Sequence, residues 1–432
     1  MTQTATYGDF SGFLHERFQG RRVPVEVSIE VTHRCPLECQ HCYNNLPMSD
    51  SNARKQELTF EEHVRLLDEL VEAGCLWLLY TGGEIFARKD FLDIYTEAKK
   101  RGFLITLFTN GTMITPRVAD HLAKFKPFSI EITLYGATRE SYEALTRIPG
   151  SFDRCMRGIA LLQERGLPLK LKTVPTSLNA HEVYEMKRYA EEELGVEFKF
   201  DPLVNPRTDC SQSPLAVRLT PEDAVGLEFR DPVRRAEYLK IVEDELSKNE
   251  PAPTKRYTCG GGHNGCAIDP TGKMTICVLS HRDGYDFRSG TFRHGWEGKL
   301  KDIRQSEVAR KTICTDCRIR SLCSMCAASG ELESGDAETP VDYLCQVAHL
   351  RAYALGVNVP VHGNCACCEG GEAYQGLRSS AARINQNSST LTNVLSPQMP
   401  RSNSLLPVLS SGGGCSSGGC SSCGSHFSTQ AR

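Results

Sequence analysis

The sequence predicts an α/β fold: six strand–helix units in succession, then a small cysteine-rich region, then a disordered C-terminal tail. Three observations carry this. From Val25 to about Val204 the apolar pattern switches six times between strand-like and helix-like spacing. The 20 cysteines fall largely in groups. Beyond Glu372 the chain has no acidic residue and is rich in Ser, Asn, Gly and Pro, a composition too poor in apolar side chains to bury a core.

Strands are expected at Val25–Thr32, Cys75–Tyr80, Phe103–Thr109, Phe128–Leu134, Leu169–Thr176 and Glu197–Leu203, where alternating apolar residues imply half-buried strands. Amphipathic helices fit between them at Thr59–Glu72, Phe91–Arg101, Pro116–Lys126, Phe152–Arg165 and His181–Glu193. Thr59 caps the first of these, with acidic residues in its opening turn, and Gly74, Gly102 and Gly166 each end a helix just before a strand. Alternating β and α implies a parallel sheet with right-handed crossovers. Six units are too few for a closed eight-stranded barrel.

A length of 432 residues allows two to three domains. The net charge of −3 gives no basic footprint for nucleic acid, and no Lys/Arg block points to a membrane surface. No apolar run approaches the ~20 residues of a membrane span, and Met1 to Gln19 lacks the apolar stretch of a secretion signal. Cysteine in this abundance without a signal argues for metal ligation in a reducing compartment, so a cytoplasmic location is expected.

Cys35, Cys39 and Cys42 lie in the run Thr32-His-Arg-Cys-Pro-Leu-Glu-Cys-Gln-His-Cys-Tyr43, at the C-terminal end of the first strand. Active sites of α/β barrels sit at strand C-termini. Three thiols on one loop can hold an iron–sulfur cube and leave one iron open for chemistry, whereas four would close it as in an electron carrier. The bland alternatives are a zinc knuckle or buried thiols. The CxxxCxxC spacing resembles the radical S-adenosylmethionine (SAM) enzymes. That resemblance implies an open (β/α)6 TIM-like partial barrel and a [4Fe–4S] cluster with SAM at the open iron. Reduction would then cleave SAM to methionine and a 5′-deoxyadenosyl radical.

Thr81-Gly-Gly-Glu84 follows the second strand and resembles the family's GGE motif, implying that Gly82, Gly83 and Glu84 hold the SAM amino group. Asn110, in Phe108-Thr-Asn-Gly111, and Thr133, at the end of the fourth strand, are further candidates for SAM contact; polar loop filling is the alternative for both. Tyr135 stands where the family often has Asp. His33, Tyr135 and Arg147 are acid–base candidates by position alone, and ordinary loop packing is the competing reading.

A charged, helical stretch from Pro206 leads to Cys259, Cys266, Cys277, Cys314, Cys317, Cys323, Cys326 and Cys345. Asp269-Pro-Thr-Gly272 reads as a hairpin turn. The set resembles the SPASM extension of some radical SAM enzymes, which binds two auxiliary [4Fe–4S] clusters. The resemblance implies that Cys259, Cys266, Cys277 and Cys326 hold one and Cys314, Cys317, Cys323 and Cys345 the other. Ser324 and Met325 leave one residue fewer than the family pattern before Cys326, which can shift the cluster that Cys326 serves. A pair of zinc sites is the alternative. Four thiolates on each cluster would leave no open iron, so electron transfer is their expected task.

The expected organisation is an N-terminal segment 1–24, a barrel 25–205, a helical linker 206–255, an auxiliary-cluster domain 256–355 and a tail 356–432. Cys365, Cys367 and Cys368 open the tail, and Cys415, Cys420 and Cys423 lie near its end. The tail reads as an unstructured extension, with a substrate-like segment as the sharper alternative. The resemblance implies an enzyme that oxidatively modifies a peptide by a cross-link or related change. A maturase of a folded protein or redox-cofactor precursor is the runner-up, and a non-catalytic iron–sulfur electron carrier the reading from another class. Implied partners are a peptide or protein substrate, an electron donor such as flavodoxin or ferredoxin, and a separate leader-peptide-binding protein. With about 24 residues before the first strand, recognition of a leader-bearing peptide is expected to fall to the barrel mouth, the tail or such a partner.

Overall fold

Six parallel strands run from the middle of a nine-stranded sheet to one of its edges: β1 (Glu26–Glu30), β2 (Trp77–Thr81), β3 (Leu104–Thr109), β4 (Ser129–Thr133), β5 (Leu169–Thr173) and β6 (Phe198–Phe200), in that spatial order. The computed structural model describes residues 7–18, 20–245, 253–280 and 282–392. Each of these six strands falls within its expected run except β2, which extends one residue past it to Thr81. The intervening helices lie within theirs to within a residue: α2 (Phe60–Glu72), α3 (Phe91–Lys100), α4 (Pro116–Lys124), α6 (Ser151–Glu164) and α7 (Val183–Arg188), with α5 (Arg139–Thr146) added after β4. Thr59 makes a full capping box with Glu62, so the helix start is fixed by two reciprocal hydrogen bonds.

Side chains on each strand divide between two faces, as period-2 geometry requires. Val27, Ile29, Leu78, Tyr80, Ile105, Leu107, Ile130, Ile132 and Leu171 are buried and pack with the helices in one hydrophobic core. The alternate residues Ser28, Glu30, Thr81, Phe108, Glu131, Thr133 and Lys172 line the concave face. Polar and charged side chains there are a cost to folding unless paired, which marks that face as the working interior.

Helix α1 (Tyr7–Arg17), inside the segment expected to lie outside the barrel, packs at the strand N-termini. Tyr7 sits 4.6 Å from the Phe128 ring and Phe10 6.5 Å from Trp77.

The cysteine-rich half adds to the same sheet. β7 (Gly265–Ile268) pairs in parallel with β1, and β8 (Lys273–Thr275) and β9 (Tyr285–Asp286) follow antiparallel. The β7–β8 connection is the expected hairpin. Asp269 Oδ1 accepts from the Thr271 and Lys273 backbone N–H groups, and Gly272 takes φ +90.

A second core forms from α8 (Pro221–Arg230), α9 (Pro232–Glu245), α11 (Asp342–Ala354) and α12 (Tyr374–Thr392), with α10 (Ala327–Ser334) nearby. Glu228 and Arg351, both almost fully buried, make two hydrogen bonds of 2.8 and 2.7 Å at its centre. The stretch expected to be a linker therefore supplies core helices. The expected disorder from 356 onward is also corrected. Residues 356–392 are structured, with Leu377, Ala381 and Ile384 buried along one face of α12 and Cys365, Cys367 and Cys368 buried beneath it. Three apolar residues at helical spacing bury enough surface to dock an otherwise polar helix. Cys415, Cys420 and Cys423 lie outside the described residues.

Candidate functional site

The chain leaves β1 through Thr32 and Arg34, and Arg34 grips Glu57 with two hydrogen bonds of 2.8 and 3.0 Å. The cysteine loop follows and is pinned on three sides. Glu38 and Gln40 backbone N–H groups donate to the Thr146 and Leu145 carbonyls at the end of α5. Asn44 Nδ2 donates to buried Glu30 at 2.6 Å. Arg207 donates to the Cys42 carbonyl at 3.2 Å and to Asn45 Oδ1 at 2.7 Å.

Cys35 and Cys39 are buried and Cys42 is partly so. The Cys42 N–H donates to the Cys39 carbonyl at 3.1 Å, a turn that brings the thiols to one side. Burial pushes all three thiols up, and Cys35 and Cys39 also feel the charge of others of the set. Two donors point at the Cys35 sulfur: Leu37 N–H at 3.4 Å and Asn110 Nδ2 at 3.5 Å. Thiols held together, withdrawn from water and met by N–H donors are what an iron–sulfur cluster needs of its ligands. The residues fit that group.

Gly82 and Gly83 lie against the backbone entering the cysteine loop. The Gly83 N–H donates to Thr32 O at 2.7 Å and the Glu84 N–H to Arg34 O at 3.0 Å. A Cβ on Gly82 would collide with the Thr32 carbonyl, and one on Gly83 with the His33 carbonyl. Gly82 also takes φ +131. The glycines are thus required by close approach of two backbones.

Glu84 is fully buried, which pushes its carboxyl up to about 7 despite three donors. Thr109 Oγ1 donates to both oxygens, Asn110 N–H to one at 2.9 Å and Phe86 N–H to the other at 3.2 Å. The carboxylate expected to accept from an ammonium thus also takes protein donors on both oxygens, and Glu84 ties the ends of β2 and β3 together. Asn110 Oδ1 is held by Thr112, which aims its amide at Cys35.

Thr133 ends β4 on the concave face, two residues after Glu131 and in register with Lys172. Tyr135 packs with Cys39 and places its ring 5.4 Å from His41. His33 Nε2 lies 3.4 Å from Glu30, and desolvation is outweighed by that carboxylate, leaving its pKa raised. Arg147 is an exposed left-handed residue capping α5.

The second cysteine set divides in two. Cys314, Cys317, Cys323 and Cys345 line one narrow cavity together with His349 and His362. Cys277 feels the charges of Cys326 and Cys259. Cys266 is directed elsewhere in this arrangement: it sits on β7 opposite Val27, buried, its thiol near Cys75 and Arg22. Cys326 is exposed and interacts with both Cys277 and Cys323, so it stands between the two groups.

Sequence reasoning did not single out Glu30, Glu57 or Arg207, which hold the cysteine loop, nor the Glu131–Lys172 pair on the concave face. Lys172 Nζ lies 3.3 Å from Glu131 and 2.7 Å from the Phe108 ring centre, and desolvation brings it down to about 8. The signal was present: charged residues at every second position of otherwise apolar strands, as in Ser129-Ile-Glu-Ile-Thr133 and Leu169-Lys-Leu-Lys-Thr173.

Residues 29–190 match the family model described as the Radical SAM superfamily. The chain carries a radical SAM domain and is an enzyme of this kind, a class that uses a [4Fe–4S] cluster and SAM. Among curated relatives, an AdoMet-dependent heme synthase of Methanosarcina barkeri is 26% identical over 331 residues, covering 72% of this chain and 94% of the relative. A PqqA peptide cyclase of Bradyrhizobium diazoefficiens is 24% identical over 333 residues, covering 73% and 85%. Streptococcus suis SuiB, solved with S-adenosylmethionine and with its precursor peptide SuiA, shares the fold with a TM-score of 0.57 at 15% identity, over 80% of this chain and 82% of SuiB. The SPASM-like reading of the second half fits these relatives. Among the described residues no helix is long and apolar enough to cross a membrane.

Proposed function

We propose that this protein is a peptide-modifying radical SAM enzyme that holds a [4Fe–4S] cluster on Cys35, Cys39 and Cys42. The observation that carries the reading is the packing of a three-thiol loop against Gly82, Gly83 and Asn110 at the strand C-termini, over a polar concave face. When bound, cluster and SAM supply a 5′-deoxyadenosyl radical that abstracts hydrogen from the substrate.

The chain's own residues have separable tasks. Arg207, Glu30 and the end of α5 fix the cysteine loop. Asn110 presents an N–H to the Cys35 sulfur, and Glu84 positions Asn110. Gly82, Gly83 and Thr133 border the space for SAM. We read Cys259, Cys277 and Cys326 as ligands of one auxiliary cluster, which Cys266 would complete by turning away from Cys75, and Cys314, Cys317, Cys323 and Cys345 as ligands of a second. Both would transfer electrons. A small electron-transfer protein such as flavodoxin or ferredoxin would supply the reductant, and a cytoplasmic setting suits the chemistry. A separate protein can serve to recognise a leader peptide.

A cofactor-directed reading also has an observation behind it, since the heme synthase relative aligns over nearly its whole length. Anaerobic turnover with candidate precursor peptides, and in parallel with porphyrin precursors of heme, separates the two. Peptide loss of two hydrogens per link, matched to 5′-deoxyadenosine, supports the peptide reading. Porphyrin conversion with inert peptides would replace it.

A further inference from the structure

Beneath α12, four buried side chains that the radical chemistry does not use converge on one point. His349, His362, Cys365 and Cys368 present ligand atoms that all lie within 4.8 Å of one another, and all four residues are buried. We propose that these four residues form a tetrahedral Zn²⁺ site that staples the segment after α11 to the second core.

The distances suit one ion. Cys368 Sγ lies 3.5 Å from His349 Nε2 and 3.3 Å from His362 Nδ1, and Cys365 Sγ lies 3.8 Å from His349 Nε2. With Zn–S of about 2.3 Å and Zn–N of about 2.0–2.1 Å, a tetrahedron has S···N edges of about 3.6 Å. A cubane cluster interposes its own iron and sulfide between its ligands and holds thiolates farther apart, so this knot is too tight for one. Two thiolates and two neutral imidazoles also cancel the charge of a divalent ion, as burial demands. Binding displaces the protons of the Cys365 and Cys368 thiols to solvent.

The surrounding backbone prepares the ligands. His349 Nδ1 lies 2.9 Å from the Cys345 carbonyl one helical turn back, a bond that places the proton on Nδ1 and leaves Nε2 to face the two thiols. His362 Nδ1 lies 3.0 Å from the Pro360 carbonyl as well as near Cys368, so metal binding there takes the place of that hydrogen bond. The Cys365 N–H donates to the His362 carbonyl at 3.3 Å and the Cys368 N–H to the Cys365 carbonyl at 3.2 Å. Two successive turns thus bring the ligands of His362-x2-Cys365-x2-Cys368 to one side.

Cys345 and Cys367 form an overlapping group with His349 and Cys365. Cys345 Sγ lies 3.7 Å from Cys365 Sγ, but it meets the opposite ring edge of His349, 3.6 Å from Nδ1 and away from the Nε2 that faces Cys365 and Cys368. Assigning the ion to His349, His362, Cys365 and Cys368 leaves Cys345 with the cavity it shares with Cys314, Cys317 and Cys323.

The test is metal content and coordination of the full chain, purified anaerobically from zinc-supplemented cells and reconstituted with iron. The expected result is about one zinc per chain, with an X-ray absorption shell of two sulfurs and two nitrogens. A Cys365→Ser/Cys368→Ser variant should lose that zinc and keep its iron. His362→Ala should weaken zinc retention against a chelator at least tenfold, which keeps the proposal testable if the double variant fails to fold. No zinc in the wild type, a four-sulfur zinc shell, or loss of iron in place of zinc in the variants would each overturn the assignment.

Discussion

The Asn110 backbone N–H donates to the Glu84 carboxylate at 2.9 Å, and the Asn110 side-chain amide reaches the Cys35 sulfur at 3.5 Å. One residue thereby joins the loop after β2 to the cysteine loop after β1. Because the carboxylate lies wholly inside the protein, the alignment of three strand-end loops depends on an acid in an unfavourable place.

That placement has a pH signature. Burial raises Glu84 from 4.5 to about 7. The folded protein then holds this proton more tightly than the unfolded chain, so stability falls as pH rises from 4.5 to about 7, by about 3 kcal/mol in full. Glu84→Gln should flatten that part of the profile. Urea midpoints at about pH 5 and pH 8 read it; an equal slope in variant and wild type would contradict the burial argument.

The glycines beside Glu84, set against Gly102 in the turn before β3, separate strain from collision. Gly102 takes φ +86 with open space around its missing Cβ, so Gly102→Ala should cost only the left-handed strain, about 1–2 kcal/mol. Gly82→Ala adds to such strain a collision with the backbone leading to Cys35, and Gly83→Ala meets that collision without the strain. They should cost more and lower the iron held by the Cys35 loop, as read by iron content after reconstitution.

Lys172 gives the opposite pH dependence. Desolvation lowers it from 10.5 to about 8, with Glu131 opposing. Between those values the unfolded chain keeps a proton that the folded one has released, so stability rises with pH, by about 3 kcal/mol in full. Lys172→Met should remove that rise between about pH 8 and 10.5 in denaturant titrations.

In the second core, removing Arg351 leaves buried Glu228 with Tyr238 Oη at 3.0 Å and Arg234 at 3.5 Å in place of a bidentate guanidinium. Arg351→Met should cost about 3–5 kcal/mol, and Arg351→Met/Glu228→Gln should recover part of it. Urea unfolding of both variants decides; additive losses would show that the pair is not coupled.

The six barrel strands and the cysteine loop were legible because their signals are local: alternation, caps, and thiols three and two residues apart. The pairing of β7 with β1 was not, since partners more than 200 residues apart leave no short-range pattern. The fold of residues 356–392 was hidden by averaging. Ser and Asn dominate the composition after Glu372, while Leu377, Ala381 and Ile384 repeat at helical spacing within it. Cys365 and Cys368 were read with the tail, because His349 and His362 become their neighbours only in three dimensions. For Glu84 the residue was legible and its environment was not: the motif likeness expects it to accept from the SAM amino group, and packing also gives each of its oxygens protein donors.

The central claim is that Cys35, Cys39 and Cys42 hold the cluster that starts radical chemistry. The most direct measurement is 5′-deoxyadenosine formation by the anaerobically reconstituted enzyme given SAM and a strong reductant. The account predicts formation that disappears in the Cys35→Ala/Cys39→Ala/Cys42→Ala variant while iron elsewhere in the chain remains. Equal formation by that variant, or none by a wild type carrying its full iron, would contradict it.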